Sequence, residues 1–344
     1  MKHIEVINNI KEIQTKYNLD HKVPIFATQE YADYLFDSRR IKTLWFIEKF
    51  EDEISLMIPF AISKKLFFIK GYFLTSVNNI ANRPLDEEKL FLEKVVALIK
   101  KKKLCDWIQQ SPNWAIFNTY PSGAVYIQFG TYKIKLEEKS LDELFNSVQK
   151  KDRYDINKAI RENIIIKKSY DYLTDSIKLI NLTASEAGIS SVDVQEINKI
   201  KTYLRNDLWV YVAYDRNNVP QSTAIFFSNH YSTYTIYGGS IKKPARGSTT
   251  YLYWEAIKES KLKNVKYFDF VGARVNPEPE SKQARIQRFK EHFGGELYLG
   301  YLWKMPISKI KYYLYNIIIR LYTLLKGIKY KGDIIDQELR RLQK

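Results

Sequence analysis

The chain has 344 residues, with 55 Lys+Arg against 39 Asp+Glu and a formal net charge of +16; at roughly 100 to 200 residues per domain, that length predicts two domains. Its 45% apolar and 27% charged residues are ordinary globular composition, which excludes disordered and fibrous architectures. Cys105 is the only cysteine, so an internal disulfide and a cysteine zinc site are excluded and a reducing, cytoplasmic setting is expected.

The first residues carry charges throughout and lack the apolar core of a signal peptide, so secretion is not expected. Two long uncharged stretches, Trp107 to Tyr132 and Asn217 to Ile241, are interrupted by Pro, Gly, Asn and Ser, and neither predicts a membrane span. The positive surplus calls for an anionic partner: a phosphate-rich ligand, RNA or an acidic membrane surface.

In chain order, Ala27 to Ile41 has helical spacing, and Thr43 to Phe50 and Ile54 to Ser63 alternate as paired strands around a polar turn. Leu66 to Leu74 is a third strand, Asp86 to Leu104 a helix ending in the lysine run 100 to 103, and CDWIQQ a short strand. A helix over Leu141 to Arg161 then opens a second series. Helices are expected over Tyr170 to Ala187 and Val192 to Leu204, and strands over Leu208 to Asp215, Gln221 to Phe227 and Ser232 to Tyr237. A helix over Thr249 to Lys261 and the strand KYFDFVG complete it. The hairpins LWFIEKFEDEISLMIPF and LWVYVAYDRNNVPQSTAIFF hold equivalent places, and each third strand ends in glycine, as FFIKGY and TIYGGS. The pattern predicts a duplicated α/β module with mixed sheets, because hairpin-connected strands are followed by one helical crossover to a parallel strand.

Four features carry possible chemistry. In LFNSVQKKDRYDINKAIREN, Lys151, Tyr154, Lys158 and Arg161 share one helical face, with Arg153 and Asn157 beside it. That face suits phosphates, or it is a solvated interdomain helix with Asp152 and Asp155 as partners. In YGGSIKKPARGSTTYLYWEAIKES, a glycine-containing turn with Lys242, Lys243 and Arg246 opens a helix. Such a start binds anions, or it is simply a basic connection. In FDFVGARVNPEPESKQARIQRFKEHFGG, Ile286, Phe289 and Phe293 form an expected buried face, and Gly294 and Gly295 a stop. Lys290 stands at the border of that face, snorkelling or held for use. Asp269 ends a strand as a base or a turn cap.

The fourth feature is the C-terminal stretch, with seven Lys or Arg and no acid between Trp303 and Gly332 among tyrosines, isoleucines and leucines. It reads as an amphipathic helix on an anionic bilayer, as a helix docked on the first domain, or as both. Elsewhere His3, His21, His230 and His292 lack metal-ligand spacing, and GxSxG and HExxH are absent. Metal hydrolysis and serine-nucleophile chemistry are set aside, with no metal expected.

The run KKDRYDINKAIRENI, then YGGS, then YFDFVGA and finally IQRFKEHFGG resembles in its order the Fem family of peptidoglycan-bridge aminoacyltransferases, over most of Leu35 to Tyr301. KLFFIKGYFLTS resembles the corresponding first-half strand. The resemblance implies two tandem GNAT-like acyltransferase domains, 1–135 and 136–302, the second opened by the basic linker helix. The C-terminal amphipathic tail, 303–344, would return to the first domain or meet the membrane. It implies aminoacyl-tRNA as donor, with no cofactor required, and a diphosphate-containing cell-wall precursor as acceptor, at the inner face of the cytoplasmic membrane and without DNA.

By the same resemblance Lys151 and Arg153, with Lys158, face the diphosphate, and Lys70, Tyr72, Tyr237, Gly238 and Gly239 line the substrate. Lys242, Lys243, Arg246, Gly247, Arg285 and Arg288 meet the donor, and Phe289 and Lys290 match the FK pair near its aminoacyl end. Lys290 would supply positive charge to the developing oxyanion, backbone N–H groups of the strand end Tyr237 to Ser240 would assist, and Asp269 is a candidate proton acceptor. Two departures stand out: no long helical hairpin arm is evident, and the turn KKPARGSTT keeps only Gly247 of a glycine-rich pyrophosphate loop. An acyl-coenzyme A dependent N-acyltransferase on an amino sugar of an envelope polysaccharide is the alternative. A non-catalytic RNA- or membrane-binding protein is the alternative of another class.

Overall fold

A computed structural model describes residues 3–327 and 330–343; Ile328 and Lys329 of the basic C-terminal stretch therefore lie outside the described residues. The chain divides into two compact units, Met1–Gly130 with Leu299–Lys344, and Thr131–Tyr298.

The first unit begins with β1 (Ile4–Ile7), α1 (Lys11–Lys16), α2 (Gln29–Arg39), β2 (Lys42–Phe50), β3 (Glu53–Lys65) and β4 (Phe68–Phe73). After β5 (Asn78–Asn79) come α3 (Leu85–Lys101) and β6 (Trp107–Ile108), and β7 (Val125–Lys135) runs on into the second unit. β1, β2, β3 and β4 pair antiparallel in that order, and β4 pairs parallel with β6. Glu51 and Asp52 between β2 and β3 both take positive φ, 48° and 62°, matching the right-handed twist of the strands they join. α3 lays Phe91, Leu92, Val95 and Ile99 against the sheet, with Asp86 and Glu87 at its start and Lys100 and Lys101 at its end. That charge order complements the helix dipole.

The second unit contains α4 (Leu141–Ser147), α5 (Lys150–Arg161), β8 (Ile165–Lys168), α6 (Leu173–Glu186), α7 (Val194–Leu204), β9 (Leu208–Tyr214), β10 (Pro220–Ser228) and β11 (Ser232–Ser240). α8 (Ser248–Leu262), β12 (Tyr267–Asp269), β13 (Ala273–Arg274) and α9 (Lys282–His292) follow. β8, β9, β10 and β11 pair antiparallel, β11 pairs parallel with β12, and β12 pairs antiparallel with β7. The first unit closes in the same way, since β14 (Glu296–Pro306) pairs antiparallel with β6. Both units thus have one strand topology, the mixed α/β arrangement of tandem GNAT-like proteins. Each takes its last strand from chain lying beyond its own run of elements, a feature the sequence pattern does not display.

The expected single helix over Leu141 to Arg161 is two helices. α4 is closed by a capping box between Ser140 and Glu143, and it stops at Val148, whose extended backbone carries a buried side chain into the core. Gln149 then donates its N–H to the His292 carbonyl at 2.8 Å.

At the chain end come α10 (Lys309–Leu325) and α11 (Ile334–Leu342). α11 packs in the first unit: Ile335 is buried with Ile127, Phe129 and Leu302, and Lys304 reaches Asp333 at 2.8 Å and Asp336 at 2.6 Å. No residue of α10 is fully buried. Among the described residues no helix is long and apolar enough to cross a membrane.

Candidate active site

The second unit has a fork in its sheet. β11 pairs with β10 as far as Ser240, yet its pairing with β12 ends at Tyr234, opposite Asp269. The cause is local. Ile225 faces Tyr237 and Phe226 faces Thr235, so Ile236 is an extra residue in β11. A bulge increases strand twist and bends the strand, and here it lies just past the last β11–β12 pair. Tyr237, Gly238 and Gly239 therefore lie on β11 beyond its last pair with β12.

Lys290 lies on α9, bonded to the turn that follows β12. The buried face of α9 is Ala284, Gln287 and Lys290, continued by Phe293, and Ile286 is exposed. The expected face of Ile286, Phe289 and Phe293 is thus rotated, and Phe289 is half-buried against Tyr253. Lys290 is 6% exposed and does not snorkel. Its ammonium donates to the carbonyl oxygens of Val271 and of Gly272, the latter at 2.6 Å. Burial lowers its pKa to about 8, and the Asp269 carboxylate opposes that shift. The two carbonyls belong to a strained turn, because Val271 has φ 45° and Gly272 φ 56°. A β-branched residue in that region costs about 1–3 kcal/mol and persists only where its surroundings impose it.

Asp269 imposes it from the other side. Its side chain is fully buried, with Oδ1 accepting from the Val271 N–H at 2.8 Å and from the Thr131 hydroxyl at 2.5 Å. Oδ2 lies 3.5 Å from the Lys133 ammonium and accepts no hydrogen bond from a described residue. Of the two roles read from sequence, the geometry favours the turn cap. Thr131, Val271 and the bulge at Ile236 are the parts that sequence reasoning missed. The only signal was the Asp-Phe-Val-Gly order at a strand end.

The basic helix α5 presents Lys151, Tyr154, Asn157 and Arg161 to solvent and buries Asp155, Ile156 and Ala159. Lys158 is half-exposed, 3.5 Å from Glu162. Arg153 is occupied: its guanidinium donates to the carbonyls of Asn146 at 2.6 Å and Val148 at 2.5 Å, closing the end of α4. His292 Nδ1 meets Asp152 at 2.7 Å, which ties the end of α9 to the start of α5.

The turn before α8 meets the same helix. Gly247 has φ 81°, and a Cβ there would lie 2.1 Å from the Asp155 carbonyl oxygen, so glycine is required by both conformation and contact. Arg246 pairs with the Asp155 carboxylate at 2.7 Å, and its guanidinium lies 5.4 Å from the Tyr154 ring centre. Lys242 and Lys243 are exposed beside it. A carboxylate of the chain itself thus stands at this turn. Arg285 and Arg288 are exposed on α9, facing away from its buried row. Lys70 and Tyr72 lie in the first unit on β4, both half-buried, with burial lowering the lysine's pKa and raising the tyrosine's.

The FemAB family model matches residues 194–320, which span the fork, the 270s turn and Lys290. The structure "Crystal structure of FemX" is similar over 90% of this chain and 99% of that one, at 13% identity and TM-score 0.69. A tandem GNAT protein from the clavulanic acid biosynthesis pathway matches over 89% of this chain and 99% of that one, at 10% identity and TM-score 0.51. L-PGS from Bacillus licheniformis matches over 88% and 93%, at 10% identity and TM-score 0.51. No curated protein sequence matches. The structural likenesses concern the fold, and the family match concerns residues 194–320.

Proposed function

We infer that this chain, whose residues 194–320 match the FemAB family model, transfers an aminoacyl group from an aminoacyl-tRNA ester to an amine of a diphosphate-containing, lipid-linked cell-envelope precursor at an anionic membrane surface. The observation that carries this reading is the desolvated Lys290 ammonium, held by the carbonyls of the turn that follows β12. Buried groups with perturbed pKa cluster at functional sites, and burial lowers that of Lys290 to about 8.

In the reaction the acceptor amine, neutral when it attacks, forms a C–N bond to the ester carbonyl. The C–O bond to the ribose then breaks, and the proton lost by the amine balances the one gained by the leaving oxygen. Lys290 has three N–H donors and spends two on Val271 and Gly272; the third is assigned to the carbonyl oxygen as negative charge develops there. The strand end Tyr237 to Gly239 lines the acyl path, while the Ser240 N–H is held by the Thr183 hydroxyl at 3.0 Å. The ester is already activated, so positioning carries most of the work and Asp269 acts by holding the turn. Lys151 and Lys158 face the precursor's diphosphate, and Arg285 and Arg288 meet the donor.

The Arg246–Asp155 pair favours an RNA ester over a coenzyme A thioester, because the turn that would take the coenzyme's diphosphate already holds a carboxylate. Charged tRNA and acyl-coenzyme A, supplied in parallel with a lipid-linked precursor and followed by mass spectrometry, test this. Product from charged tRNA alone is expected. Product from the thioester alone would transfer the assignment to an amino-sugar N-acyltransferase.

A further inference from the structure

α10 is apolar on its outer face. Its half-buried residues, Lys311, Tyr312, Tyr315, Asn316, Ile319 and Thr323, turn toward the first unit, while Ile310, Leu314, Ile317, Leu321, Leu324 and Leu325 form the exposed stripe. Ile310 is 82% and Leu325 86% exposed. A helix on a water-facing surface has the reverse arrangement. The helix is nevertheless fixed in place. Lys311 pairs with Asp106 at 2.9 Å, and the Tyr315 ring lies 4.6 Å from Trp107 and 5.3 Å from Phe68, measured between centroids.

At about 100° per residue, Tyr313 and Tyr322 fall at the two margins of the apolar stripe. The exposed Lys309 and Arg320 lie just beyond Tyr313, and Lys326 just beyond Tyr322. Apolar centre, tyrosine margin and cationic flank are the order that a bilayer interface presents from acyl boundary to headgroups.

A second element meets this helix. The β3–β4 hairpin has Lys65 opposite Phe68, so Leu66 and Phe67 are its two-residue tip, and Lys311 Nζ lies 3.5 Å from the Phe67 carbonyl. Leu66 is 78% and Phe67 55% exposed. Leu66 holds φ 55°, a turn position that ordinarily selects glycine, asparagine or aspartate. A leucine there sacrifices turn stability for an outward apolar side chain, and the exposed Lys64 and Lys65 precede it.

We propose that the exposed stripe of α10 and the Leu66–Phe67 tip form one docking face that lies in the plane of an anionic bilayer. Charge selects this occupant. From Trp303 to Gly332 the chain has no acidic residue, and Lys64, Lys65, Lys309, Arg320 and Lys326 surround the apolar area. A second copy related by two-fold symmetry would bring these cations against themselves, whereas phosphatidylglycerol headgroups neutralise them. The inference shares with the proposed function only the membrane as the place of the acceptor, and it stands on this surface independently of the chemistry.

The test is flotation of the full chain with vesicles of phosphatidylcholine alone and of phosphatidylcholine mixed with phosphatidylglycerol. Binding to the mixed vesicles is expected, weakening as salt rises, because each cation near the surface contributes about fivefold. Leu66→Asn with Phe67→Ser keeps a residue suited to positive φ; Ile317→Glu with Leu321→Glu changes only exposed positions. Each pair is expected to lower partitioning by at least about tenfold, the effect of withdrawing one or two apolar side chains from the interface, with unchanged melting. Should either pair melt early, Lys64→Gln with Lys65→Gln gives the same reading through lost selectivity for anionic vesicles. Unaltered flotation of the variants overturns the proposal. So does absence of binding together with a concentration-dependent dimer, seen by sedimentation, that the glutamates abolish. Turnover on a lipid-free acceptor separates the two readings: docking variants that float poorly but turn over normally there support this inference, and a wild-type chain that floats yet transfers nothing removes only the enzymatic one.

Discussion

Lys290 donates from its buried ammonium to the carbonyl oxygen of Gly272 at 2.6 Å, so the cation proposed for the chemistry also fastens a left-handed turn. Its two duties predict separable effects. The stability effect follows from its pKa, near 10.5 for an ordinary lysine and about 8 in the folded chain. Between those values the unfolded chain keeps a proton that the folded chain has released, so stability should rise with pH across that window. Below pH 8 the folded state bears the full cost of the desolvated charge, about 3 kcal/mol. Thermal melts of wild type and Lys290→Met from neutral to alkaline pH check this. The difference between them should change by roughly that amount, and a constant difference would mean that the lysine titrates normally.

The catalytic effect has the opposite sign. If the protonated amine meets the oxyanion, kcat should fall as pH rises through about 8, and Lys290→Met should lose roughly 10²- to 10³-fold in turnover. A Met variant that is less stable yet turns over normally below its melting temperature would leave Lys290 as a fastener of the turn and nothing more.

The central hairpin, third strand and crossover helix of both units were legible in the sequence because hairpins, glycines and helical spacing recur in the two halves; the short edge strands β1 and β8 escaped that pattern. The closing strands were not legible either: β7 begins in an uncharged stretch broken by Pro and Gly, and β14 follows directly on the Gly294–Gly295 stop. The place of Lys290 was legible, but its burial was not. α9 buries positions three apart, and the polar Gln287 and Lys290 belong to that row because the strained turn supplies acceptors for them, with Gln287 donating to the Arg274 carbonyl at 2.6 Å. Hydrophobic periodicity reports apolar partners only. Arg153 was legible as basic, yet its use was decided by the break at Val148, which left the last carbonyls of α4 needing a donor.

That use predicts a division of labour on α5. Arg153→Ala should destabilise by about 1–3 kcal/mol, since two carbonyls lose a charged donor, and its effect on tRNA or precursor binding should follow from that loss. Lys151→Gln and Lys158→Gln change outward groups and should leave melting unaltered. Each should lower the slope of log affinity against log salt for the diphosphate-containing precursor if it touches a phosphate. Salt titrations of the three variants, at a temperature where all are folded, provide the measurement. A slope unchanged by both lysine variants would make α5 a solvated surface.

The neighbouring glycines of β11 predict opposite outcomes for the same added methyl. At Gly239 a Cβ would lie 2.5 Å from the Leu179 carbonyl oxygen and 2.6 Å from the Ile180 Cα, both backbone atoms of α6 that cannot move singly. Gly239→Ala should therefore force α6 off the sheet, at a cost of about 1–3 kcal/mol or more. At Gly238 the nearest atom is the Tyr253 hydroxyl at 3.3 Å, the far end of a side chain, so Gly238→Ala should melt close to wild type. Gly238 is exposed on the strand end past the bulge, where the acyl path is assigned, so its methyl should narrow that path. Transfer of a bulky aminoacyl group should then suffer more than transfer of a glycyl group, read as a change in the ratio of kcat/KM between the two donors. Equal effects on both donors, with unchanged melting, would move the acyl path away from this strand end.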